Sequence, residues 1–126
     1  MTVRDSQAYP MNNSMDLKSL LMAAGRTPVQ QVTLFALLNL GIIESLANGL
    51  LSVRDALGIF FHAENCMFVR RQLRDKTADE IMSRGVQLPD LFEALPTEEA
   101  HREFQRELAT MRALCLKLLE KKKMVA

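Results

Sequence analysis

Apolar residues recur along most of the chain at intervals of three and four, which is the period of an α-helix. The longest such run begins at Thr27 and Pro28, where a capping hydroxyl precedes a proline at the first helical position. It ends at Asn48 and Gly49, a pair that favours the left-handed turn closing a helix. The pattern therefore predicts a helix over about 28–48, roughly 30 Å long.

Further start and stop signals predict shorter helices around this long one. Ser14 can cap a helix that ends before Gly25, and Ser52 opens another that carries Phe60–Phe61 toward the core. After a break, the apolar spacing predicts a fourth helix over about 65–75.

Two brief helices are predicted between Thr77 and Pro96. Thr77 and Glu80 have the spacing of a capping box, and Gly85 is placed to end the helix that they open. Pro89 then begins a second helix. This order resembles a helix-turn-helix, but the second segment presents carboxylates and no Lys or Arg toward DNA, which argues against base reading.

The last predicted helix covers about 98–122, with an acidic head and a basic tail that match the helix dipole. It carries two apolar seams. One has heptad-like spacing and consists of Phe104, Leu108, Met111, Cys115 and Leu118. The other is a stripe of small and apolar residues, Ala109, Ala113 and Leu116. A helix with two seams must either be sandwiched inside the bundle or bind another surface.

No β-rich alternation of apolar and polar residues appears, so we predict an all-α bundle of five to seven helices whose long members are about 28–48 and 98–122.

One helical domain over 14–126 is predicted to follow a flexible arm over 1–13. The arm lacks the cationic start and apolar run of a secretory signal, which predicts a cytoplasmic protein. Polar residues such as Glu44 interrupt the long apolar helix, so no membrane span is expected.

Composition excludes several classes of function. The 126 residues include 16 basic and 15 acidic side chains, a net charge of +1 that gives no overall attraction to nucleic acid or membranes. Cys66 and Cys115 lie far apart in the sequence and form no CxxC pair, which is typical of free thiols in a reducing compartment. His62 lies four residues before Cys66, and His101 or Cys115 could complete a zinc site, but a second close ligand pair is absent. We therefore predict no metal and no cofactor.

Asn39 is the polar residue that conflicts most with the apolar pattern, because it lies in the middle of the apolar side of its helix. A buried amide without partners costs about 1–3 kcal/mol. We expect Asn39 to be buried and to bond a helix end or a loop carbonyl, a structural role that is favoured over contact with a ligand.

A local excess of positive charge lies between two predicted helices. It consists of four cations offset by Asp75, a local charge of +3: Arg70, Arg71, Arg74 and Lys76. Such a group is most often a solvated helix face, and less often it contacts phosphates or an acidic protein surface.

The segment Leu38–Gly49, continued by Leu51–Ala56 and Phe60–Phe61, resembles small bacterial helical proteins that are grouped as a domain of unknown function. The resemblance covers about Leu34 to Leu119. It implies a helical fold and a bacterial source, and it implies no activity or functional residue.

We predict a protein–protein interaction module, of an adaptor, immunity-like or regulatory kind, most simply a homodimer. The surfaces that motivate this prediction are the partly apolar outer stripe of the long helix and the second seam of the last helix: Leu37, Gly41, Glu44, Ala109, Ala113 and Leu116. A nucleic-acid accessory protein using the four cations is the alternative. An enzyme comes third and is not expected, because it would need a pocket combining Glu44, Asn39 and a histidine, and no catalytic motif is present.

Overall fold

The structure, a computed structural model, describes residues 14–125, with side chains as far as Lys121. These residues form six α-helices and one π-helical turn, and no strand occurs among them. The helices are α1 (Leu17–Ala24), α2 (Pro28–Ala47), α3 (Val53–Ile59), α4 (Ala63–Phe68), α5 (Lys76–Ala94) and α6 (Thr97–Val125), with the π turn Val69–Leu73 continuing α4. The predicted all-α fold is confirmed. The predicted arm over 1–13 lies outside the described residues.

Local capping chemistry fixes α2. The hydroxyl of Thr27 accepts a hydrogen bond from the backbone N–H of Gln30, whose side chain accepts one in return from the N–H of Thr27. At the other end, Asn48 is the cap and Gly49 adopts the left-handed conformation, with φ at 73°. Ser52 caps α3 as predicted.

The core lies where α6 packs against α2 on one side and α5 on the other. Ion pairs reinforce both contacts: Arg112 bonds Glu44 of α2 at 2.6 Å, and Arg84 of α5 bonds Glu107 at 2.7 Å. The predicted heptad-like seam of α6 is buried along its whole length. Phe60 and Phe61 are also buried, with ring centroids 5.1 Å apart in an edge-to-face arrangement.

The two brief helices predicted after Thr77 are wrong, because α5 is one continuous helix that runs through both Gly85 and Pro89. Its cap is Asp75, whose carboxylate accepts from the N–H of Ala78 at 3.0 Å. Gly85 is a packing residue and does not stop the helix: a Cβ at this position would lie 2.4 Å from Cδ1 of the Phe61 ring. Without a turn at Gly85, the helix-turn-helix resemblance also disappears.

Three other boundaries differ from prediction for local reasons. Asp16 caps α1 in place of Ser14, because its carboxylate accepts from the N–H and hydroxyl of Ser19. The helix predicted over 65–75 is instead α4 and the π turn, which Arg74 ends in the left-handed conformation with φ at 57°. The last helix extends three residues beyond its predicted end.

By length and composition alone α2 could cross a membrane, since its mean hydropathy over 18 residues reaches 1.4. Within the bundle, one side of α2 packs into the core through Val32, Phe35, Ile43 and Leu46. The apolar residues on that side of α2 therefore form part of the core. Leu37 lies on the opposite, exposed side of the helix.

The contact between Gly85 and Phe61 makes a prediction about stability. Gly85→Ala should lower the free energy of unfolding by about 1–2 kcal/mol, because overpacking in a core outweighs the gain in helix propensity. Urea unfolding followed by circular dichroism measures the change. Gly58→Ala is the matched control, since a Cβ on this helical glycine meets no atom within 4 Å, and it should leave stability unchanged or raise it. Equal effects of the two substitutions would contradict the packing role.

Candidate interaction surface

The outer face of α2 carries apolar surface that the core does not use. Leu37 is 52% exposed although it lies in the middle of a 20-residue helix. Gly41 is exposed on the same outer side, and a Cβ there would meet no atom within 4 Å. Glu44 is also exposed and bonds Arg112. The structure thus places these three predicted residues on the solvent side of α2.

The second seam of α6 is also open. Ala109, Ala113 and Leu116 are all exposed, and Leu116 retains 50% of its surface. A shallow recess of about 450 Å³ runs along this side of the helix and is lined by Ala113, Leu116, Lys117, Glu120 and Lys121. The helix is therefore not sandwiched in the bundle: its inner seam packs on α2 and α5, and its second seam faces solvent.

The register between α2 and α6 places Leu37 and Leu116 in the same direction from the ion pair that joins the two helices. Glu44 contacts Arg112, and the Ala47 carbonyl accepts from the side chain of Gln105 at 3.5 Å, so the two helices run antiparallel. Leu37 lies two turns before Glu44, and Leu116 lies one turn after Arg112. Both leucines therefore lie on the same side of this ion pair, toward the C-terminal end of α6.

The basic cluster surrounds the π turn. Arg70, Arg71, Arg74 and Lys76 are exposed, and Arg70 bonds the carboxylate of Asp79 at 3.4 Å. A recess of about 230 Å³ is lined by three of these cations and by two carboxylates, Arg70, Arg74, Lys76, Asp75 and Asp79. The surface is therefore less positive than the sequence alone indicates, because folding adds Asp79 to it.

Asn39 is fully buried in α2. Its amide nitrogen donates to the carbonyl of Phe35 at 3.2 Å, within its own helix, whereas a contact with a helix end or loop was expected. Its side-chain oxygen has no hydrogen-bond partner within the described residues. This amide therefore leaves one buried polar atom unsatisfied.

Asn65 is the buried polar residue that sequence reasoning missed. Its side-chain oxygen accepts from the N–H of Leu17 at 3.0 Å, and its nitrogen donates to the carbonyls of Met15 at 3.1 Å and Phe60 at 2.9 Å. His62 adds a bond to the same Met15 carbonyl at 3.1 Å. One side chain thus ties the start of α1 to the end of α3. These contacts join residues up to 50 positions apart, so they cannot be predicted from a local sequence pattern.

The groups proposed for metal binding or catalysis lie in separate environments. Cys115 is buried, which raises the pKa of its thiol to about 12, and burial also raises the pKa of the Cys66 thiol. His62 bonds the N-terminal segment, whereas His101 packs edge-on against the ring of Phe92. Among residues 14–125, no three His, Cys, Asp or Glu side chains are grouped to hold a metal ion. Within the described part of the chain, Asn39 bonds Phe35, Glu44 bonds Arg112 and Asn48, and neither histidine shares a hydrogen bond with them.

Comparison with known families matches residues 27–126 to a family described as "Protein of unknown function (DUF3969)". The chain belongs to this family. The match begins after α1 and covers all helices from α2 to α6. No curated protein and no solved structure gives a significant match. The description of the DUF3969 family assigns no activity.

The two buried asparagines predict opposite results when each is replaced by leucine. Asn65→Leu should lower the free energy of unfolding by about 2–4 kcal/mol, because it leaves a buried N–H and carbonyls without partners. Asn39→Leu should leave stability unchanged or raise it by about 1 kcal/mol, because it removes an unsatisfied oxygen. Urea unfolding compares the two variants directly. A larger loss for Asn39→Leu than for Asn65→Leu would show that these roles are assigned the wrong way round.

Proposed function

We propose that this DUF3969 protein is a cytoplasmic protein–protein interaction module without catalytic activity, of an adaptor, immunity-like or regulatory kind. Its binding site is the outer face of α2 and α6, named here the α2–α6 face and defined by Leu37, Gly41, Glu44, Ala109, Ala113 and Leu116. The observation that carries the proposal is the second apolar seam of α6, which remains in solvent after the inner seam has completed the core.

The energetics of the face support binding to another protein. Leu37 and Leu116 are each about half exposed, and complete burial of a leucine side chain contributes about 1.5–3 kcal/mol. The ion pair of Glu44 with Arg112 lies beside the leucines, as polar groups lie at the rim of an interface. Small residues at 109 and 113 let a partner backbone approach α6 closely.

A noncatalytic role is favoured by the separation of the titratable groups. General acid–base catalysis needs two positioned groups within hydrogen-bond reach of one substrate. The carboxylate of Glu44 is engaged by Arg112 on the α2–α6 face, and His62 is engaged by the Met15 carbonyl elsewhere in the bundle.

A second candidate, nucleic-acid binding, has one observation in its favour. Arg74 is the only non-glycine residue of the described region with a positive φ, and it ends a π turn, a feature that often occurs at functional sites. Against it, Asp75 and Asp79 line the same recess as the cations. We therefore rank nucleic-acid binding below the interaction module.

The α2–α6 face predicts self-association that depends on its leucines. Sedimentation velocity should show a dimer for the wild type at about 1–100 μM, which corresponds to association free energies of about −8 to −5 kcal/mol. Leu37→Asp and Leu116→Asp should each weaken the dimer tenfold or more, because each buries an unpaired charge. Leu50→Asp is the control, since Leu50 is 81% exposed in the turn after α2 and should have no effect. A wild type that stays monomeric throughout this range would contradict the prediction.

The basic cluster makes a separate prediction. If phosphates bind there, fluorescence anisotropy at about 20 mM salt should detect single- or double-stranded nucleic acid, with affinity falling steeply as salt rises. Arg71→Glu combined with Lys76→Glu should abolish that binding, whereas Arg54→Glu, an exposed reversal on α3, should not. An undetectable signal for the wild type at low salt removes this candidate.

A further inference from the structure

We infer that the partner at the α2–α6 face is a second copy of the chain, with the two α6 helices antiparallel and crossing at Ala113. In this arrangement Glu120 of each copy faces Arg106 of the other, and each Leu116 lies opposite Thr110 of the other, beside Ala109. The inference rests on the proposed function and adds the identity, orientation and register of the partner.

The side of α6 opposite the buried seam has the shape that a helix pair requires. Residues 106, 109, 113, 116 and 120 recur at intervals of three and four, and all five are exposed. Two alanines occupy the middle of this row and flexible charged residues occupy its ends. Packed helices lie about 8–10 Å apart, and the shorter separations need small residues at the crossing point. Ala113 is therefore the natural centre.

An antiparallel pair brings together positions that lie equally far on either side of the centre. Arg106 is seven residues before Ala113 and Glu120 is seven residues after it. A two-fold axis at Ala113 therefore makes this charge contact twice per dimer. Leu116 is three residues after the centre, so it lies opposite Thr110 of the copy and beside Ala109, whose small side chain leaves room for it.

The same charges exclude the parallel alternative. In a parallel pair in register, Arg106 of one copy would face Arg106 of the other, and the two Glu120 side chains would also face each other. Both contacts would join like charges. In the antiparallel pair, the acidic first half of α6 lies along the basic second half, so Lys121 also approaches Glu103 of the copy. Charge complementarity thus selects the orientation.

The ion pair already made by Arg106 does not prevent this exchange. Arg106 bonds Glu103 at 3.0 Å on the same helix, but its side chain is 72% exposed. Ion pairs between exposed side chains contribute little to stability, because water and salt screen them. Arg106 can therefore turn to Glu120 of a second copy at small cost, while Lys121 of that copy approaches Glu103.

Charge reversal tests the register. Arg106→Glu alone and Glu120→Arg alone should each weaken self-association tenfold or more, because each creates two like-charge contacts per dimer. An equimolar mixture of the two variants should form a heterodimer at least as tight as the wild-type dimer, since both of its contacts then join opposite charges. The double variant R106E/E120R should recover wild-type self-association. Sedimentation velocity and native mass spectrometry of the full chain measure all four.

Controls separate register from folding and from the proposed function. Arg54→Glu and Glu93→Arg reverse exposed charges on α3 and α5 and should leave the dimer unchanged, and circular dichroism checks that every variant is folded. If Leu116→Asp abolishes the dimer but the charge reversals leave it intact, the antiparallel register is wrong and the α2–α6 face stands. If the mixture of variants stays monomeric, the register is likewise overturned. If the wild type itself is monomeric, the second copy is wrong as the partner, whereas binding of a different protein at the α2–α6 face is not contradicted.

Discussion

The burial of the inner seam of α6 between α2 and α5 is the contact on which the rest of the structure depends. A helix with 3.6 residues per turn can bury about half of its circumference against two neighbours. The residues on the remaining half must then be polar, or they leave apolar surface exposed. In α6 that half contains Ala109, Ala113 and Leu116, so the fold itself creates the open face. Architecture and proposed function are consequences of one packing arrangement.

The elements that sequence reasoning predicted are those encoded by residues close in the chain. The caps at Thr27 and Ser52 act over three residues, and the heptad-like seam of α6 is a repeating local spacing. The errors have a different origin. Gly85 looked like a helix stop, but its small size serves the ring of Phe61, 24 positions earlier. A glycine required by packing and a glycine required by a turn are identical in a sequence.

The difference between local signals and contacts of distant residues also explains how much of the candidate site could be predicted. The outer stripes of α2 and α6 follow from helical periodicity, so their exposure could be anticipated, but their joint position depends on the contact of Glu44 with Arg112, 68 residues apart. Asp79 could not be assigned to the basic cluster before α5 was known to begin at Lys76. The π turn could not be predicted either, because one extra residue in a helical turn does not change the amino-acid composition in a recognisable way.

The two buried asparagines show how a polar side chain can serve opposite purposes in one core. Asn65 satisfies three backbone groups and attaches α1, a helix outside the family match, to the DUF3969 domain. Leu17 and Leu21 of α1 are fully buried, so the core of this protein is completed by a segment that precedes the matched region. Removing α1 would expose the apolar surface that these leucines cover, together with the amide of Asn65. In this chain α1 therefore completes the core of the DUF3969 region and belongs to the same packed unit.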